Sequence, residues 1–138
     1  MMLVQASPEF VTHIMRDPRV WRWVAEDGVS PGDVRYQPTA TYFQFQDKGF
    51  VMFRRVTQRM REIHVATRRG DATLVSFIHE CLDEMRHRGA AKFIAPIGDW
   101  NVAALRLARR CGFVEEGRIT GAYVRDGEPR ALIMMGGC

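Results

Sequence analysis

Asn101-Val-Ala-Ala-Leu-Arg-Leu-Ala-Arg-Arg-Cys-Gly-Phe113 reads as a short helix that stops at a glycine and turns directly into a strand. Leu105 and Ala108 repeat at helical spacing beside Ala104, Leu107 and Cys111, which gives one apolar stripe. Asp99 is positioned to accept from the open N–H groups of the first turn, with Asn101 supplementing it. Arg109 and Arg110 complement the negative end of the helix dipole, and Gly112 supplies the left-handed residue that ends the helix. Phe113-Val114 begins the next apolar segment.

The elements on either side follow from the same rules. Phe93-Ile94-Ala95-Pro96-Ile97 is a short buried strand. Before it, Leu74, Val75, Ile78, Cys81, Leu82 and Met85 form an amphipathic stripe on a long helix over 71–88, which ends at Gly89. Three strand-like runs precede that helix, at 39–46, 50–56 and 60–66, with Asp47-Lys48-Gly49 as a hairpin turn. Ser7-Pro8 and Asp17-Pro18 are two helix starts, each a capping residue followed by proline, and the second helix runs to Gly28. Leu3-Val4-Gln5-Ala6 is a short first strand, and 30–38 is a loop. At the other end, 121–125 and 130–135 flank Asp126-Gly127, a strong hairpin signal. The order is β-α-α-β-β-β-α-β-α-β-β, an α+β domain with a mixed sheet, covering 1–138 as one unit. The strands around the long helix are expected to run parallel, since a β-α-β crossover joins them.

Composition narrows the class. The chain is 46% hydrophobic and 26% charged, within the range of ordinary globular domains, and no apolar run approaches the roughly 20 residues that span a bilayer. The N-terminal run lacks a basic region, so a signal peptide is not expected. Cys81, Cys111 and Cys138 have no metal-ligand spacing, and the first two fall on apolar helix faces, as buried thiols do in a reducing cytoplasm. A cytoplasmic protein without a metal or a membrane partner is expected. Arginine supplies 18 of the 20 basic residues, but these are scattered and no aromatic-basic stacking pattern accompanies them, which argues against a nucleic-acid partner.

The pattern N-x-x-A-x-x-L-x-x-x-x-G-F from Asn101 to Phe113, followed by Glu116-Gly117-Arg118, resembles the C-terminal signature of the GNAT superfamily of acyl-CoA-dependent N-acyltransferases. The element order is also that of the GNAT fold. The tail, with Asp126-Gly127 and Met134-Met135, is similar to the ribosomal-protein N-acetyltransferase-like branch, although Ala131 replaces that branch's closing aspartate. The phosphate loop, in turn, is similar to acetyltransferase-like proteins of phages and prophages.

The resemblance implies a fold in which the strands flanking the long helix splay apart and an acyl-CoA, usually acetyl-CoA, lies in the gap, hydrogen-bonded to backbone near Val65. Its pyrophosphate would rest on the loop that opens the helix, where unpaired N–H groups favour anions. The implied cofactor-binding set is Val65, Arg68, Arg69, Gly70, Asp71, Ala72, Thr73 and Asn101. Arg69-Gly70 matches the family loop, but Ala72 replaces a glycine and Leu74 stands where a small residue normally lets backbone approach phosphate. Read without the resemblance, the same loop is a plain helix N-terminus with Asp71 stabilising the dipole, and Asn101 is a first-turn residue. The family's usual tyrosine acid falls at Ala108, so Tyr123 on the last hairpin is the candidate in its place. Glu62 and His64 share one strand face and are the candidate bases, with a half-buried Glu62 expected to titrate upwards; the alternative is two hydrogen-bonded residues of a sheet face. The implied acceptor is a small-molecule amine or a protein N-terminus, and a homodimer is compatible with the resemblance. The loss of the tyrosine and of the loop glycine leaves open a non-catalytic GNAT-fold binding or structural protein, of phage or prophage derivation.

Overall fold

The computed structural model describes residues 2–138. Ser7 accepts from the Phe10 N–H and Pro8 occupies the first turn of α1 (Pro8–Arg16). Asp17 then closes α1 and caps α2 (Pro18–Val24) through the Arg19 N–H. Helix α2 stops four residues before Gly28, and a 3-10 turn at Pro31–Asp33 follows. Strands β1 (Thr41–Phe45), β2 (Gly49–Arg55) and β3 (Met60–Thr67) make an antiparallel meander, and α3 (Leu74–His87) crosses to β4 (Lys92–Gly98). After α4 (Val102–Arg110), β5 (Val114–Arg125) and β6 (Glu128–Gly137) form the final hairpin. The six strands lie in the order β1-β2-β3-β4-β6-β5, with β3 and β4 parallel and the other neighbours antiparallel.

Several elements differ from the sequence reading. The first strand is reduced to a single bridge, Gln5 to Phe43, held by the Ala6 N–H on Tyr42 O and the Gln44 N–H on Val4 O. In the β1–β2 turn the left-handed residue is Gln46, not Gly49. Gly49 serves another need, since a Cβ there would lie 2.0 Å from the Ala66 carbonyl oxygen on β3. Helix α3 begins at Leu74 rather than Asp71 because Asp71 to Thr73 form a turn ahead of it. Asp126 and Gly127 both have positive φ, as a tight hairpin turn between twisted strands requires.

Both faces of the sheet are covered, which explains the continuous apolar run Phe50-Val51-Met52-Phe53 in β2. Phe50 and Met52 pack with α1 and α2, alongside Val11, Ile14 and Val20. Val51 and Phe53 pack under α3, with Phe77, Cys81, Leu82 and Phe93. Cys81 and Cys111 are buried thiols, and burial pushes Cys81 up to about 12. Among the described residues no helix is long and apolar enough to cross a membrane.

Phe93 is fully buried at the centre of the larger core, with its ring against Phe53. Phe93→Ala should cost about 3–5 kcal/mol in denaturant unfolding, whereas Ile119→Ala, on an exposed stretch of β5, should stay within about 0.5 kcal/mol. Similar losses for the two variants would contradict this core assignment.

Candidate active site

The parallel β3–β4 ladder contains only three pairs: Met60 with Lys92, Arg61 with Phe93 and Glu62 with Ile94. Backbone alternation explains where it stops. The Arg68 N–H on Lys48 O and the Asp99 N–H on Ala131 O fix which edge each residue faces. The backbone groups of 61, 63, 65 and 67 on β3 therefore face those of 94, 96 and 98 on β4. After the Glu62–Ile94 pair, the next bond would run from the N–H of residue 96 to the Ile63 carbonyl. Residue 96 is proline and has no N–H. Beyond it the strands part, leaving the Val65 N–H and C=O without a strand partner.

The gap opens into a cavity of about 380 Å³, a size typical of small-molecule sites. Val65, Ile97, Ala104 and Ala108 line it from the sheet and α4, and Met15, Trp21, Val24 and Val29 from α1, α2 and the loop after them. His64, Asn101 and Tyr123 also line it. Of the residues singled out in the sequence, the fold thus brings His64, Val65, Asn101 and Tyr123 to one cavity, with Ala108 among them.

Asn101, rather than Asp99, caps α4: its Oδ1 accepts from the Ala104 N–H at 3.1 Å. Asp99 is drawn instead to β6, where it accepts from Arg130 Nε at 2.9 Å and from the Ala131 N–H at 3.2 Å. Gly112 has φ +91°, and the Phe113 N–H reaches back to Ala108 O, closing the helix as the sequence indicates. Tyr123 reaches the cavity because β5 is irregular. Ile119 pairs with Leu132 and Tyr123 with Arg130, four steps on β5 against two on β6, and Gly121 in the excess has φ +66°. Such bulges re-aim the side chains beside them. Burial raises the Tyr123 phenol, and the charges of Glu26 and Glu62 push it further, so the hydroxyl stays protonated.

Glu62 departs from expectation. Its carboxylate accepts from His64 Nε2 at 2.9 Å and from Arg54 Nε and Nη2 at 3.1 Å. The His64 contact, and then Arg54, hold it down at about 2 although burial opposes them. An ionised carboxylate has no proton to donate, so His64 Nε2 carries the hydrogen and a neutral His64 keeps its lone pair on Nδ1.

The loop ahead of α3 is mixed in character. Among the described residues no acceptor pairs with the N–H groups of 69–72, and Arg69 is exposed and makes no ion pair. Arg68 is committed elsewhere: its Nε lies 3.0 Å from Asp17 Oδ2, out of line for a hydrogen bond, and Nη1 donates to Asp47 O at 3.0 Å. Leu74 is buried in the core, and its side chain packs beneath Gly70, where a Cβ would lie 3.1 Å from it. Gly70 and Ala72 are exposed. Asp71 accepts from the Thr73 N–H at 2.8 Å and the Thr73 hydroxyl at 2.5 Å and pairs with Lys48, contacts that keep it well below the usual carboxylate range. The N–H groups of 69–72 are open, but the Thr73 donors are already taken by Asp71.

The sequence reading missed Trp100, Trp21, Trp23 and Glu26, all of which line the cavity. Trp100 folds back over Gly98, where a Cβ would lie 2.5 Å from its ring, and stands edge-on to Tyr123 at 5.1 Å. Its Nε1 donates to Trp23 O at 2.7 Å, and Arg125 donates to Ala25 O and Arg22 O, satisfying carbonyls at the end of α2. A Gly-x-Trp-Asn sequence at a strand end, facing an α2 that carries two tryptophans, was the available signal.

No family sequence model matches the chain, and no curated protein matches it in sequence. Solved structures match it in shape. Spermidine N-acetyltransferase from Vibrio cholerae, solved with CoA and spermine, is similar at TM-score 0.74 and 18% identity, covering 99% of this chain and 94% of that one. Ribosomal-protein-alanine N-acetyltransferase from Brucella melitensis matches at TM-score 0.73 and 18% identity, with 99% of each chain covered. A structure provisionally assigned as a phosphinothricin N-acetyltransferase matches at 0.75 and 21%, covering 98% and 96%. The chain has the GNAT fold.

The Glu62 interactions carry a pH dependence. Its carboxyl titrates at about 2 when folded against an ordinary 4.5, so its stabilisation is complete above about pH 4.5 and is lost as pH falls towards 2. Glu62→Gln should be less stable than the parent at pH 7, and the difference should shrink progressively between about pH 4.5 and pH 2, as followed by urea unfolding. A stability difference unchanged across that range would contradict the ionised pair.

Proposed function

We propose that this chain is an N-acyltransferase that transfers an acetyl group from acetyl-CoA to a primary amine. The observation that carries the reading is the junction of two features: unpaired β3 backbone at Val65 and a cavity lined by His64, Asn101 and Tyr123. The shape shared with acetyltransferases supports it.

In this reading Val65 offers backbone N–H and C=O to the extended arm of the acyl donor. Asn101, whose Oδ1 is used by its cap, still has its amide N–H groups to donate. The open N–H groups of 69–72 and Arg69 receive the pyrophosphate. Acyl-CoA supplies an activated thioester, so the amine nitrogen forms the new C–N bond as the C–S bond breaks and the electron pair leaves on sulfur. The residues then have two proton tasks. His64 takes the ammonium proton on Nδ1 while Glu62 fixes its tautomer, as an ionised partner does for a catalytic imidazole. Tyr123, kept protonated by burial and nearby carboxylates, supplies a proton to the departing sulfur in place of the hydroxyl that Ala108 lacks. A second reading, a GNAT-fold protein that binds but does not transfer, is favoured by Ala108 and by the Asp71–Lys48 pair at the loop.

Calorimetry with CoA tests the donor site. Arg69→Glu should weaken CoA by about 1–3 kcal/mol, through a lost charge-assisted bond and added repulsion, and Asp71→Asn should tighten it by removing a competing anion. Unaltered affinity in both variants would remove this loop from the site. In an amine-acetylation assay, His64→Ala should cost about 10²–10⁴ in rate and flatten the acidic limb of the pH profile, with Glu62→Gln less severe. Tight CoA binding without transfer to any amine in a broad screen would favour the binding protein.

A further inference from the structure

The cavity wall built by α2, the loop after it and the turn between β4 and α4 carries a chemistry of its own. Trp21, Trp23 and Trp100 all line it, and these are the three tryptophans of the chain. Of 20 arginine and lysine residues, none lines it. Two guanidinium groups stack on these rings from outside the lining: Arg125, 4.9 Å over Trp100 and committed to the Ala25 and Arg22 carbonyls, and Arg22, 5.0 Å over Trp23. The lining holds one carboxylate, Glu26, which is half-buried and takes part in no ion pair or side-chain hydrogen bond among the described residues. Glu62, beneath His64, is already neutralised by Arg54.

From this inventory we infer that the acceptor is a hydrophobic primary monoamine: a flat apolar body held among the tryptophans, with a single ammonium facing Glu26. The inference rests on the acyltransferase reading for the name acceptor, but the binding chemistry stands apart from the transfer. Aromatic faces and one carboxylate attract a lone cation on an apolar body. A carboxylate on the same molecule would enter a mostly apolar space with no arginine or lysine in its lining to meet it, and would face Glu26. A polyamine would bring two or three ammonium groups to a wall with one free carboxylate. The distinction matters because the structurally similar Vibrio cholerae enzyme was solved with spermine.

The whole chain can be titrated with 2-phenylethylamine, L-phenylalanine and spermidine, following tryptophan fluorescence and heat, with acetyl transfer from acetyl-CoA measured separately. Every tryptophan lines the cavity, so fluorescence reports binding there. 2-Phenylethylamine should bind at least tenfold more tightly than either competitor. Glu26→Gln, an isosteric change, should raise its Kd five- to tenfold, as should Trp21→Ala in samples shown to be folded by circular dichroism. Spermidine or L-phenylalanine binding as tightly would overturn the inference, as would no response to 2-phenylethylamine or an unchanged Kd in Glu26→Gln. Binding of 2-phenylethylamine without transfer supports the cavity assignment and counts against the acyltransferase reading. Transfer to spermidine with no binding of 2-phenylethylamine sinks the assignment and leaves that reading standing.

Discussion

A hydrogen bond that cannot form organises the functional half of this molecule. Strands β3 and β4 pair in parallel for three residues, until the ladder calls for an N–H at position 96. Proline stands there, in the middle of the sheet, where it is otherwise excluded. Its outer partner, β6, is unaffected, because the backbone nitrogen of Pro96 points away from it and the β4–β6 register runs on from Phe93 to Gly98. One residue thereby keeps the sheet continuous on one side of β4 and open on the other. The opening lies where α3 and α4 both begin, and the α4 cap Asn101 and the α2 roof line the cavity behind it.

The charges around the opening are arranged against simple anion capture. Helix α3 begins beside open N–H groups at 69–72, yet Asp71 takes the Thr73 donors and holds Lys48. Arg68 is spent on tying the loop to Asp17, which itself caps α2. The loop is thus fastened to the roof of the cavity: β3 continues into Arg68, Arg68 pairs with the α2 cap, and the far end of α2 is latched by Trp100 and Arg125. The hairpin tip adds Asp27, which accepts from the Asp126 and Gly127 N–H groups. The cavity roof and the loop ahead of α3 share one mechanical frame.

The sequence disclosed what local physics decides. Serine-proline and aspartate-proline starts, the Gly112 stop and the Asp126-Gly127 turn depend on neighbours within a few residues, and each stands in the structure as read. The crossover between parallel strands followed from element order. Long-range competition was harder to read. Asp99 and Asn101 are both good caps, and Asp99 lost the role because Arg130 and the Ala131 N–H, some thirty residues on, claimed its carboxylate. Glu62 and His64 were correctly put on one face, but the His64 hydrogen bond, and after it the cross-strand neighbour Arg54, turned the expected rise of Glu62 into a fall. Nothing local joins Trp21 and Trp23 to Trp100, which come together only because folding sets α2 opposite the end of β4.

In the proposed transfer the Val65 backbone, left open by Pro96, is the donor's docking edge. Amide hydrogen exchange read by NMR addresses it directly, since an amide without a protein acceptor exchanges far faster than one in a ladder. Without ligand, the Val65 N–H should exchange much faster than that of Ile63, its paired neighbour on the same edge, and saturating acetyl-CoA should slow Val65 while leaving Ile63 unchanged. Equal protection of the two amides in the free protein, or a Val65 amide indifferent to acetyl-CoA, would contradict the account.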